Sequence, residues 1–365
     1  MSISQNHFIS PNQLLFFIIQ TQIGIAILQL PIDMFKIVKW EGWIAVIISG
    51  FCLQLLALSY LFIVSRWPQP SFFTLTKKGL GNIIGNIVNF LYFVYFIIVG
   101  THILTLYYET ISVWLFPETP KLFILLLIVI AAVYLVQEDL QLIARFYGIV
   151  SILLILIIVV QLTSYSAAQP LNLLPLGLNS PLDYIKASTL SIQSMLGFEI
   201  VLFLYPYLKG EYKKIKLMTV FAIGITTTIY VFTIISSYLF FSPDEILLIP
   251  HPVLYMLKAF TSSFVDRLDL LFISVWIVSV STSFMTYLFL ASLYVKNTLP
   301  IKRRKPAVPF VALIMLIVAM QYESNLEIEA FGDFMHMISP IFFLLLPLIL
   351  GIAVFIRAPK KEAMS

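Results

Sequence analysis

Charge is what this chain has least of. Asp, Glu, Lys and Arg make up 11% of its 365 residues, against 60% hydrophobic. A soluble domain carries about 25% charged residues. That deficit, with a mean hydropathy of +0.99, excludes a large soluble domain and leaves a polytopic membrane protein. Cysteine is nearly absent as well. Cys52 stands alone, so no internal disulfide can form. The opening stretch MSISQNHFISPNQ holds no Lys or Arg, and no small-residue cleavage site follows the first apolar run. That run is therefore expected to stay as a span rather than leave as a signal peptide. Soluble-enzyme constellations are missing too. There is no Cys/His metal spacing, no phosphate-cradling glycine loop and no G-x-S-x-G, and His7, His102, His251 and His336 are scattered. The reading is not an enzyme, with no cofactor and no metal. The net charge of +4 is spread among loops and forms no patch for nucleic acid.

What is there is a series of apolar runs. A span needs about 20 such residues, and about ten candidates fit. They cover roughly 13–35, 43–64, 84–108, 121–137, 142–164, 187–206, 216–241, 268–295, 306–321 and 335–356. The first begins cleanly, with Ser10 as N-cap and Pro11 in the first turn. The loops alternate in charge. Arg66, Lys77, Lys78, Arg145, Lys209, Lys213, Lys214, Lys216, Lys296, Lys302, Arg303, Arg304, Lys305, Arg357, Lys360 and Lys361 fall on one side. Only Lys36, Lys39, Lys121, Lys186, Lys258 and Arg267 fall on the other, together with Asp244, Glu245, Glu323, Glu327 and Glu329. The positive-inside rule then puts both termini in the cytoplasm. Nine or eleven spans would break the alternation. Two loops are more than connectors: 67–86 on the cytoplasmic side, and the apolar 242–269 outside, which either folds over the mouth or lies as an interfacial helix.

Two spans carry groups that a plain anchor would not. QTQIGIAILQLP, Gln20 to Pro31, places Gln20, Thr21, Gln22 and Gly24 inside the first run. SIQSMLGFEIVLFLYP places Gln193, Ser194, Gly197 and Glu199 inside the sixth. An interrupted helix survives in lipid only where protein or a water-filled cavity satisfies its backbone. Gly24 and Gly197 lie 173 residues apart, and each begins a half of five spans. An odd number of spans per half inverts one half against the other. The pattern therefore predicts a 5+5 inverted repeat with broken first and sixth helices, in a single membrane domain over 1–365. The repeats would run from about 10 to 165 and from about 183 to 357. A break frees amides, which suit a carboxylate, and carbonyls, which suit an ammonium or a metal cation. Close helix packing at small residues is the plain alternative for both glycines.

Glu199 is an acid well inside a span, where a charge costs at least ~2.5 kcal/mol. It must be protonated, paired or facing water; a ligand amine, a proton switch or His102 could meet it. In the third span Tyr92, Tyr95, Val99 and His102 recur at helical spacing, as a ligand-facing stripe or as aromatic core. In the eighth, Ser279, Ser281, Thr282, Ser283 and Thr286 make a hydroxyl patch beside Tyr287. Thr282 and Thr286 are the candidates to face a small cation or a substrate. Bonds to their own i−4 carbonyls are the alternative.

QIGIAILQLP resembles the first-helix motif of amino acid–polyamine–organocation (APC) transporters, in the form seen in the B subunit of spore germinant receptors (GerAB-like). EDLQLIARFYGI, LNLLPLG (Leu171 to Gly177), and GFE followed by Pro206 are similar in order and spacing along nearly the whole chain. One departure stands out: where the family usually has a second glycine, this chain has Ala26. The resemblance implies a LeuT-like fold, and a small germinant (an amino acid, or a nucleoside or sugar) bound at the broken helices. It implies receptor A and C subunits as partners, in the inner spore membrane. Carried over by position, the site comprises Gly24, Ile25, Ala26, Tyr95, Val99, Gly197, Phe198, Glu199, Thr282 and Thr286. A full-cycling amino acid transporter, proton- or cation-coupled, is the alternative, and a purely structural subunit is a third.

Overall fold

The computed structural model describes residues 8–66, 71–260, 266–301 and 303–357. Parts of the 67–86 and 242–269 loops (67–70 and 261–265), the basic residues Lys302, Lys360 and Lys361, and both chain ends lie outside the described residues. Within them the chain is helical, with one isolated bridge between Ile9 and Leu208. Six helical stretches are long and apolar enough to cross a membrane, and Lys121–Val136 and Ala307–Met320 are shorter apolar helices. With the two interrupted segments these make, among the described residues, an all-α arrangement of ten spans.

In chain order, the first span is α1 (Pro11–Gln22) and α2 (Ala26–Val38), and the second is α3 (Gly42–Ser65). The helix α4 (Phe72–Leu80) leads to the third span, α5 (Asn82–Trp114). The fourth is α6 (Lys121–Val136), and the fifth is α7 (Leu140–Val150) continued by α8 (Leu153–Leu162). The sixth is α9 (Pro181–Ser194) and α10 (Ile200–Leu204), and the seventh is α11 (Tyr212–Phe240). Two short helices, α12 (Pro243–Leu248) and α13 (Pro252–Lys258), precede the eighth span, α14 (Leu268–Thr298). The ninth is α15 (Ala307–Met320); the tenth joins α16 (Asn325–Pro340) to α17 (Leu346–Arg357).

Serine boxes set four of the starts. Ser10 with Gln13, Ser180 with Asp183, Ser242 with Glu245 and Ser324 with Glu327 each close a reciprocal side-chain to backbone pair. Such a cap is worth about 1 kcal/mol. It also explains why the sixth and tenth spans begin earlier than their apolar runs. The capped first turns are polar and extend past the hydrophobic window.

The tenth span changes register for a stated reason. Pro347 has no N–H, so it cannot serve Phe343 O in an α-turn or Phe342 O in a wider π-turn. Residues Ile341–Leu345 adopt that π-turn. Tyr60 Oη donates to Phe343 O, and Tyr92 Oη donates to Phe342 O at 2.8 Å. Both freed carbonyls are thus satisfied by neighbouring spans, as an apolar surrounding requires.

Two connecting segments lock onto the bundle. α4 packs on α5 and α17, and α13 on α14 and α2. Val253, Leu254, Met256 and Leu257 of α13 are all buried, so this loop folds over one end of the bundle. At that same end Glu41 ties down the loop before α9, accepting from Gly177 N, Asn179 Nδ2 and Tyr184 Oη. Burial pushes the Glu41 carboxyl up, but these hydrogen bonds outweigh it and hold it below the ordinary carboxylate value.

Candidate functional site

The first break runs over residues 23–25. Ile23 turns to an extended conformation (φ −87°, ψ 98°), and the helix resumes at Ala26. The carbonyls that the next turn would have used find partners on other helices. Ser283 Oγ lies 3.1 Å from Gln20 O and 3.0 Å from Thr21 O. Tyr230 Oη donates to Gln22 O at 2.9 Å, and Trp276 Nε1 donates to Gly24 O at 3.2 Å. On the far side of the break, α2 starts with no side-chain cap. Its first amides and its dipole end therefore favour an anion.

The sixth break runs from Met195 to Glu199. Gly197 sits at φ +121°, in the region that only glycine adopts readily. A Cβ there would lie 2.6 Å from Thr21 Cγ2 and 3.0 Å from the Thr21 backbone. Glu199, 1% exposed, turns back on its own break: Oε2 accepts from Gly197 N at 2.7 Å and Oε1 accepts from Tyr287 Oη at 2.9 Å. His102 is not its partner. The His102 ring meets Phe331 edge-on at 5.2 Å, and its Nδ1 has no hydrogen bond. The two breaks are stitched together directly, since Gln22 Nε2 donates to Met195 O at 2.8 Å.

Beside the stitch lies a cavity of about 150 Å³. The first break contributes Thr21, Gln22, Gly24, Ile25 and Ala26, and α2 adds Gln29 and Asp33. Opposite stand Val99, His102, Ile103 and Leu106 of α5, with Gln193, Ser194 and Leu196 of the sixth segment. Ser283 and Tyr287 of α14 and Met335 and His336 of α16 complete the wall.

Of the residues expected from sequence, Gly24, Ile25, Ala26 and Val99 line this cavity. The others lie behind it. Glu199 reaches the wall through Tyr287; Phe198 stacks on Tyr60 (5.6 Å, 13°) and Tyr95 on Phe342 (4.2 Å, 9°). Thr282 and Thr286 belong to a buried seam between α1, α7 and α14. Thr282 Oγ1 donates toward Gln20 Oε1 at 2.8 Å, and Thr286 Oγ1 pairs with Thr21 Oγ1 at 2.9 Å. Around Thr282 and Ser283 the carbonyls of Gln20, Thr21 and Ser279 outnumber the hydroxyl protons. An acceptor-rich oxygen set has the chemistry of a hard cation shell. No His/Cys/Asp/Glu group fit for a metal occurs among the described residues. Gln29 and Asp33, four apart on α2, were the signal the sequence offered and the pattern reading passed over.

The family model for spore germination proteins, Spore_permease, matches residues 8–328. The chain is 25% identical over 313 residues to spore germination protein GerQB of Bacillus cereus, covering 85% of this chain and 86% of that protein. It is 26% identical over 347 residues to spore germination protein A2 of Bacillus subtilis (strain 168), covering 94% and 93%. Solved structures that share the fold include two of high coverage. Mhp1, a nucleobase-cation-symport-1 family transporter in a closed conformation with bromovinylhydantoin bound, superposes with a TM-score of 0.66 at 12% identity, over 97% of this chain and 84% of its own. MhsT in complex with L-phenylalanine gives 0.67 at 16% identity, over 96% and 89%.

Proposed function

The chain belongs to the spore germination protein family, and from that premise we propose that it is the nutrient-sensing membrane subunit of a germinant receptor. In this reading a small nutrient, an amino acid, enters the cavity at the first break. Binding biases the arrangement of the broken helices, and partner A and C subunits read that bias. A ligand shifts such an equilibrium only through unequal affinity for the two arrangements. Both termini then face the cytoplasm, in the inner spore membrane, as the charge asymmetry of the loops favours.

One observation carries the proposal. The uncapped start of α2 borders the cavity, and Gln22, whose Oε1 has no hydrogen-bond partner, belongs to the same lining. The first offers donors to a carboxylate and the second an acceptor to an ammonium. The pair of groups is what an amino acid presents.

Dipicolinate release from spores lacking the gene, across a panel of amino acids, nucleosides and sugars, tests it. The expected result is loss of the response to one ligand class, restored by wild type and not by Gly24→Trp at equal protein level. A Gly24→Trp variant that restores the response would remove the cavity from the mechanism. The transporter fold supports a second reading, in which the chain moves its ligand across the membrane. Lower amino acid uptake by growing cells that lack the gene would favour it.

A further inference from the structure

The cavity has a polar far end that the broken helix does not account for. Gln29 and Asp33 of α2 are in its lining, as are His102 of α5 and His336 of α16. The lining holds one carboxylate and no Lys or Arg. Asp33 has no basic group within 4.0 Å among the described residues. Lys36, exposed and one turn further out, attracts Asp33 through space without pairing with it. At the near end, Gln22 is 2% exposed and its Oε1 has no partner. The N-terminus of α2 beside it is uncapped.

These ends are a fixed length apart. Asp33 follows Ala26 by seven residues, about 10 Å along a helix axis. Helical side chains lean toward the N-terminus, so the Asp33 carboxylate leans back toward the break and shortens that gap. A ligand that meets both ends must be long and must carry its second polar group at its tip. A carboxylate wall without a basic counterpart selects for a positive tip.

We propose that the cavity takes an amino acid with a long cationic side chain, its α-carboxylate at the start of α2, its α-ammonium at Gln22 and its side-chain cation at Asp33. This deepens, and rests on, the amino-acid reading above. Asp33 is then the specificity residue, and the two breaks hold the part common to all amino acids.

The test compares L-lysine with L-norleucine, which has the same carbon chain without the charge. Equilibrium binding is measured on the full chain in lipid nanodiscs, with L-alanine and adenosine as further probes. L-Lysine is expected to bind at least tenfold tighter than L-norleucine. Asp33→Asn should erase that ratio by weakening L-lysine while leaving L-norleucine unchanged, at an unaltered melting temperature. Lys36→Gln should leave the ratio in place. Equal binding of L-lysine and L-norleucine by wild type overturns the proposal, as does an Asp33→Asn variant that keeps the preference. In both cases the amino-acid reading stands. Binding of adenosine with no amino acid bound overturns both, and binding of no probe overturns the proposal.

Discussion

The two helix breaks sit against each other, and their backbones are satisfied in opposite ways. At the first, the free carbonyls are met from outside, by Ser283, Tyr230 and Trp276 on α14 and α11. The resumed helix is left uncapped beside the cavity. At the sixth, the segment's own Glu199 takes the Gly197 amide, with Tyr287 steadying the carboxylate, and only the Met195 carbonyl is met from outside, by Gln22. A break held by neighbours can exchange a neighbour for a ligand. A break held by its own side chain is closed. On the function proposed above, the first break is the recognition surface and the sixth the more firmly held segment opposite it.

The sharpest way to break that comparison is to disturb the firmly held segment. Gly197→Ala forces a Cβ into Thr21 and asks a non-glycine residue to hold φ +121°. The backbone strain alone is about 1–3 kcal/mol, and Thr21 has little room to give. Loss of most folded protein, read by fluorescence-detected size exclusion, is expected. A normal profile would show that the sixth break is not locked.

Glu199→Ala comes next. It strands the Gly197 amide and the Tyr287 hydroxyl, each at about 1–3 kcal/mol when buried. Glu199→Gln keeps an acceptor and should melt several degrees higher than Glu199→Ala. In the Glu199→Ala background, Tyr287→Phe should cost less than in wild type; additive losses would mean the two groups are not coupled.

Gly24→Ala should do less than Gly197→Ala. Its new Cβ meets Ser283 Oγ at 2.9 Å, the tip of one side chain. Overpacking of about 1–3 kcal/mol is expected at its low end, with ligand binding hurt more than stability. Ser283→Ala strands the Gln20 and Thr21 carbonyls, so it has its own cost, but the double variant should lose less than the sum of the two single ones; additive losses would refute the contact.

The smallest effect is a control that leaves both breaks alone. His251 accepts from Trp114 Nε1 at 3.3 Å and starts α13. Burial pushes its imidazole down to about 4 from 6.5. A depressed histidine stabilises the packed form above pH 6.5, and that contribution fades as pH falls from 6.5 toward 4. Amide exchange at 252–258 should quicken over that window, while exchange at 20–26 and 195–200 does not change with it.

Much of this was legible in the chain because it is local. Apolar runs of span length, four serine boxes closing over three residues, and polar groups beside Gly24 and Gly197 all act within one or two turns. The placement of Ser283 and Tyr287 on the cavity, with Thr282 and Thr286 behind it, was not legible. Residues one apart on a helix differ by about 100° in direction. A helix buried on one side declares its phase through an apolar stripe, but α14 is buried over 67% of its most apolar window. With protein on nearly every side, five hydroxyls in one stretch carry no sign of which neighbour each will meet.

The same division holds for the acids and the tyrosines. Sequence by itself determined that Glu199 had to be protonated, paired or facing water, because a bare charge in lipid is too costly. Only the tertiary structure decided that Glu199 would serve its own backbone, that Tyr60 and Tyr92 would reach Phe343 and Phe342 across the bundle, and that Asp33 would look into the cavity. Each of those outcomes joins residues distant in the chain or sets the facing of a helix. Lipid requires that every buried polar group be satisfied, and the packing of the spans chooses by which neighbour.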